Sequence, residues 1–89
     1  MKIFIVSAGE FDGWENEIYS NAYPFKTADE AAKFINDERD DLAVELLDED
    51  DMDECPARVK TEEIKDGAKF GFPEVENRYF CWKVGVFEV

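Results

Sequence analysis

The stretch TADEAAKFIN, residues 27–36, carries the start of a helix in its spelling. Thr27 and Glu30 stand three apart, so the hydroxyl and the carboxylate can each satisfy a backbone N–H that the first turn leaves unpaired. The helix therefore begins at Ala28. Projected at about 100° per residue, Ala31, Ala32, Ile35, Leu42, Ala43, Leu46 and Leu47 fall on one side, and Glu30, Asp37, Asp41, Glu45 and Asp48 on the other. This spacing predicts a helix that continues to about Leu47, with a core face and an acidic stripe. Two residues fit the projection badly. Phe34 falls within the stripe, and Arg39 lands on the apolar face, where its stem can be buried with the head reaching out. A break near Asn36 is the alternative that returns Phe34 to the core; an unbroken helix leaves it beside the acids as an apolar contact.

Working outward, the flanking segments have β character. KIFIVSA (2–8) is a short run apolar on both faces, which suits a strand in the middle of a sheet. Turn chemistry follows at Asp12-Gly13, and EIYSNAYPF (17–25) completes a hairpin. Pro24 offers no ladder hydrogen bond, so this second strand is expected at an edge or to end near the proline. Beyond the helix, DEDDMDECP (48–56) has the composition of a loop, ARVKT (57–61) alternates as a short strand, and IKDGAKFGF contains an Asp66-Gly67 turn. The longest strand candidate is YFCWKVGVFEV, with Phe80, Trp82, Val84 and Val86 on one face and Tyr79, Cys81, Phe87 and Val89 on the other. The expected fold is α+β: one domain, residues 1–89, with an antiparallel sheet of four to five strands and one long acidic helix packed across it in a ββαββ-like order.

The charge is local. The chain carries 23 Asp+Glu against 10 Lys+Arg, a formal charge of -13, and DERDDLAVELLDEDDMDE (37–54) alone gathers eleven carboxylates and one arginine. The other 71 residues hold twelve acids and nine bases, an ordinary balance. A halophilic surface would spread its carboxylates evenly, which leaves a solvated face or a surface built for a basic partner. Hydrophobic residues make up 45% and aromatic residues 15%, enough to bury a core. No apolar run approaches a membrane span, and MKIFIVSAGEF turns polar too soon for a signal peptide, so a cytoplasmic location is expected and Cys55 and Cys81 read as thiols, a disulfide between them being the alternative in an oxidising compartment.

The chemistry-bearing motifs are missing. There is no histidine, hence no usual general base and no usual metal ligand. Ser7 and Ser20 lack a nucleophile elbow, and neither a phosphate-binding loop nor a dinucleotide fingerprint occurs. No catalytic residue, cofactor or enzyme activity is expected. A calcium loop starting at Asp48 would need an acid fifth, a glycine sixth and a glutamate twelfth, where the chain has Met52, Asp53 and Val59, so no metal site is expected either. Direct nucleic-acid binding is opposed by the net charge.

The inverse fits the pattern. Carboxylates repeating every turn of a helix resemble a strand of phosphates, and Asp37, Asp41, Glu45 and Asp48 follow that spacing. Asp40, Glu49, Asp50, Asp51, Asp53 and Glu54 extend the charge. Such a surface would occupy a basic groove, with fast, salt-sensitive association. A solvated face normally mixes signs, whereas this one tolerates like charges at successive i,i+4 positions.

A resemblance points the same way. MKIFIVSAGEFDGWENE, followed by the YPFKTADEAAKFIND helix start, resembles small phage and prophage proteins that open with a Met-Lys-hydrophobic-Ile-Val-x-x-Gly-Glu-aromatic strand and continue into a Thr-x-x-Glu-Ala helix. It spans roughly the first 36 residues and brings no catalytic residue. In type, the chain is similar to phage-encoded anti-restriction and anti-CRISPR inhibitors. That likeness implies a stoichiometric inhibitor in the host cytoplasm, blocking the DNA- or guide-binding surface of a CRISPR effector or restriction enzyme. The rival reading is a small protein-interaction module that binds through its aromatic sheet and the loop around Trp14, the acids serving solubility only. In either case an edge strand near residues 18–23 is open to pairing with a second copy.

Overall fold

The computed structural model describes residues 1–12, 17–47, 57–72 and 78–89; at positions 11, 12 and 17–20 it describes the backbone. Strand β1 (Lys2–Asp12) and strand β2 (Glu17–Phe25) form an antiparallel hairpin, with a register shift between Glu10 and Phe11. Helix α1 (Ala28–Leu46) follows, then a single helical turn, α2 (Thr61–Ile64), and strands β3 (Ala68–Gly71) and β4 (Arg78–Glu88). The sheet has four strands in the order β2-β1-β4-β3, all antiparallel, with α1 packed on one face. The fold is α+β.

The two strands that are apolar on both faces, β1 and β4, pair along their whole length at the centre, Lys2 opposite Glu88 and Asp12 opposite Arg78. The Pro24-bearing β2 lies at one edge and the four-residue β3 at the other. The inner face follows from the register: Phe4, Val6 and Ala8 on β1 lie beside Val86, Val84 and Trp82 on β4, with Ala68 and Phe70 next on β3. Against them α1 sets Ala31, Ala32, Ile35, Ala43 and, just past its end, Leu47, all buried. Phe72, Ile64 and Ile35 are among the largest side chains removed from solvent.

The helix starts at Ala28 as expected, with the Thr27 half of the capping pair in place. The Thr27 hydroxyl accepts from the Glu30 N–H at 3.2 Å. The helix then runs unbroken past Asn36, and Phe34 needs no kink to find partners. Its ring meets those of Tyr23 and Phe25, with centroids 4.7 and 5.3 Å away, so the flank of α1 closes on the edge strand. Arg39 keeps its side chain 15% exposed and turns its head to Asp40.

One expected strand is absent. Residues 57–60 form no ladder, and Thr61, expected to end a strand, opens α2. The reason is that the backbone here bonds to side chains. Asn36 donates from Nδ2 to the Val59 carbonyl at 3.0 Å and accepts from the Val59 N–H at 2.8 Å, taking the place of a neighbouring strand. The Lys60 N–H goes to the Glu63 carboxylate at 3.1 Å, and the Thr61 hydroxyl donates to Asp29 at 2.7 Å. After the turn, Gly67 at φ +92° takes the left-handed conformation that a side chain disfavours and starts β3.

The amide clasp yields a testable consequence. Asn36→Ala leaves a donor and an acceptor of Val59 without their partners, and we expect a loss of about 2 kcal/mol with an unchanged m-value in urea denaturation. Asn36→Asp, which keeps the acceptor alone, should fall between. A loss under ~0.5 kcal/mol for Asn36→Ala would show that the clasp contributes nothing to stability.

Candidate functional site

The acids of α1 divide into two groups with different work. Asp37, Asp41 and Glu45, four residues apart, are exposed on one side of the helix. Lys33 reaches Asp37 at 2.8 Å, one turn earlier. That hydrogen bond, and the charge of Asp37, raise the Lys33 pKa above its ordinary 10.5. The small stabilisation involved is complete below 10.5 and is lost as pH rises through the raised value, so it does not vary near neutrality. Asp41 and Glu45 have no cationic partner among the described residues.

Two other acids of the same block are already committed inside the fold. Glu38 accepts from the Trp82 indole N–H at 3.0 Å. Asp40 is clasped between Arg39, at 2.5 Å, and Arg58. Of the residues singled out from the sequence, Asp37, Asp41 and Glu45 thus share one line, while Asp40 is turned to two arginines. Asp48, Glu49, Asp50, Asp51, Asp53, Glu54 and Trp14 lie outside the described residues.

Spacing could have exposed the role of Glu38. Positions 31, 35, 38 and 42 follow the 4-3-4 seam that faces a core, and a buried indole N–H needs an acceptor.

The stripe also holds an apolar residue that the sequence reading passed over. Val44, seven residues after Asp37 and so on the same side, is 84% exposed. It holds the exposed place among the acids first considered for Phe34, whose ring instead meets those of Tyr23 and Phe25. The helix C-terminus sharpens the electrostatics. The last turn contains no basic residue and includes Glu45, so a carboxylate sits where the helix dipole already presents partial negative charge.

Other chemistry finds little here. Among the described residues no three Cys, Asp or Glu side chains are grouped to hold a metal. No helix among them is long and apolar enough to cross a membrane. A cavity of about 260 Å³ opens beside β3, walled by Ile35, Val59, Phe70 and Trp82 with Arg39 and Lys69 at its sides. Cys81, on β4, is in no disulfide. Comparison with protein-family models, with curated proteins and with solved structures finds no match to this chain.

Substitution should separate the structural acid from the solvent-facing ones. Glu38→Gln keeps an acceptor for Trp82 and should melt near the parent, whereas Glu38→Lys should lose about 2 kcal/mol. Glu45→Lys puts a cation at the helix C-terminus and removes like-charge repulsion, so it should gain roughly 0.3–1 kcal/mol. Thermal melts of the three variants check the division, and it is wrong if Glu45→Lys is the most damaging.

Proposed function

We propose that this chain is a phage-type stoichiometric inhibitor of a host defence nucleoprotein, a CRISPR effector or a restriction enzyme. It acts in the host cytoplasm, as a DNA mimic whose acidic helix and following loop occupy a basic nucleic-acid-binding groove. The observation that carries this reading is the row Asp37, Asp41, Glu45. It is exposed and carries one lysine contact among the described residues, on a helix whose dipole makes the last of these charges unfavourable.

Density bears on how literal the mimicry is. Residues four apart on a helix rise about 6 Å, against roughly 3.4 Å per phosphate along one DNA strand. The row therefore offers about half the linear charge of a phosphate strand. Six further acids between Asp48 and Glu54 add to it in sequence. Exposed charge pairs contribute little net affinity when each stands alone, so electrostatics would supply approach and register. Val44, in the middle of the stripe, supplies an apolar contact that a phosphate strand lacks and that gives a groove a reason to prefer this helix.

The reading excludes catalysis and needs no cofactor: occupation alone inhibits. It also explains why a costly arrangement persists, since function often retains what stability would remove. The rival, contact through the aromatic sheet and Trp14 with the acids as solubilisers, predicts the opposite salt response.

The experiment is capture on the tagged protein from bacterial lysate at low salt, with stepwise salt elution and competition by duplex DNA. A nucleic-acid-binding protein released by salt and displaced by DNA is the expected result. The double variant Asp41→Lys/Glu45→Lys should weaken capture by about 100-fold or more while melting no lower than the parent. Capture that survives both high salt and this charge reversal would overturn the mimic.

A further inference from the structure

Among the described residues one helix layer covers one face of the sheet, and no element covers the other. On that outer face the register sets Ile3 beside Phe87, Ile5 between Pro24 and Gly85, and Ala22, Ser7, Lys83 and Lys69 in the next row. Phe87 is 52% exposed, Ile3 and Ile5 are half-buried, and Ala22 and Pro24 are exposed. The Phe87 ring reaches over Gly85, where a Cβ would come within 2.9 Å of it. A strand pair apolar on both sides belongs between two layers, and this one has a single layer over it.

The charges on this face decide what can cover it. Among residues whose side chains are described, the outer face carries no carboxylate, in a chain with 23 of them. Its charged side chains are Lys69 and Lys83, directly opposite each other across β3 and β4; at the other end, beside Ile3 and Phe87, the Met1 ammonium is paired with the Glu88 carboxylate at 3.2 Å. The acid row is on the far side of α1. Two copies with a charge of -13 each repel through any contact that involves the helices. Outer face to outer face they do not: both sheets and the ~10 Å between packed sheets separate the two acid rows, against a screening length of about 8 Å at physiological salt.

We infer that a second copy of this chain covers the outer face, in a two-fold sheet-on-sheet dimer centred on Ile3, Ile5 and Phe87. Strands of 11, 9, 11 and 4 residues present roughly 550 Å² of flat footprint at about 3.3 Å per residue and 4.8 Å per strand. A contact centred on the Ile3 and Phe87 end overlaps part of that footprint and buries less than about 1,100 Å² over the pair, the size of a weak, reversible, concentration-dependent dimer. The lysines lie toward the rim, stems along the partner and heads in water. Edge pairing is the poorer route, because β2 carries Pro24 and β3 is four residues long. The dimer stands independently of the proposed target; its two acid rows point outward on opposite sides and stay free.

Sedimentation equilibrium of the full chain, from low micromolar to submillimolar concentration at low and high salt, tests this. The expected result is a mass approaching twice 10.3 kDa, with salt leaving the association unchanged or strengthening it. Phe87→Asp should weaken self-association by about 10-fold or more, and Val44→Asp, on the other layer, should not. If Phe87→Asp melts early, Ala22→Arg at the exposed edge-strand position makes the same test. A monomer at every concentration overturns the proposal, as does a dimer indifferent to both substitutions. A dimer that salt dissolves overturns it too, since that would place a second copy's acid row on the lysine pair.

Discussion

The hydrogen bond from the Trp82 indole to Glu38 fixes where the helix lies on the sheet. Trp82 stands at the centre of the inner face, beside Ala8 on β1 and Phe70 on β3, and is almost entirely removed from solvent. A buried indole N–H without a partner is costly, and Glu38 supplies one from the seam that also carries Ile35. Once Glu38 is held there, the direction of every other side chain on α1 follows from helix geometry. Ala31, Ile35 and Ala43 go inward, Phe34 goes to the edge strand, and Asp37, Asp41 and Glu45 go to solvent. The direction of the exposed acid row is thus set by a contact on the opposite side of the same helix.

That arrangement answers why so much like charge can be tolerated in so small a domain. The acids are not one population. Glu38 is a structural acceptor, Asp40 is shared by two arginines, and Glu10 on β1 is nearly buried with Arg78 donating to it at 2.6 Å. Arg78 in turn sits over the Phe80 ring at 5.1 Å. The exposed residues of the acid row keep the repulsion, and they lie on the layer farthest from the open sheet face. Charge is segregated by layer, which lets an apolar sheet and an acidic helix coexist without either spoiling the other.

Much of the fold was legible because it rests on periodicity and local chemistry. The capping pair Thr27 and Glu30 marked the helix start, two-sided apolar runs marked the central strands, and Pro24 marked an edge. What was hidden involves residues distant in sequence. ARVKT alternates like a strand, yet Asn36, 23 residues earlier, satisfies Val59 in place of a ladder. Within the candidate site, Asp37, Asp41 and Glu45 were readable from their four-residue spacing. The loss of Asp40 to Arg58 was not, because 18 residues separate them and no local pattern joins them. Val44 projects onto the acid side by the same spacing, but the pattern was read for its charges, and an apolar residue there showed its meaning only once its exposure was known.

The pairing of β1 with β4 also governs how the molecule is made. Lys2 lies opposite Glu88 and Phe4 opposite Val86, so the central pair joins parts of the chain separated by nearly its whole length. Closing so long a loop before any contact rewards it slows folding, and β1, β2 and α1 all precede β4 in order of synthesis. Until β4 arrives, the inner face has no Trp82 for Glu38 to accept from, and the helix has half a sheet to rest on. The contacts that orient α1 are therefore complete only once β4 has paired with β1. The pair that joins the two ends of the chain is thus the step on which the placement of the helix, and of every side chain it carries, waits.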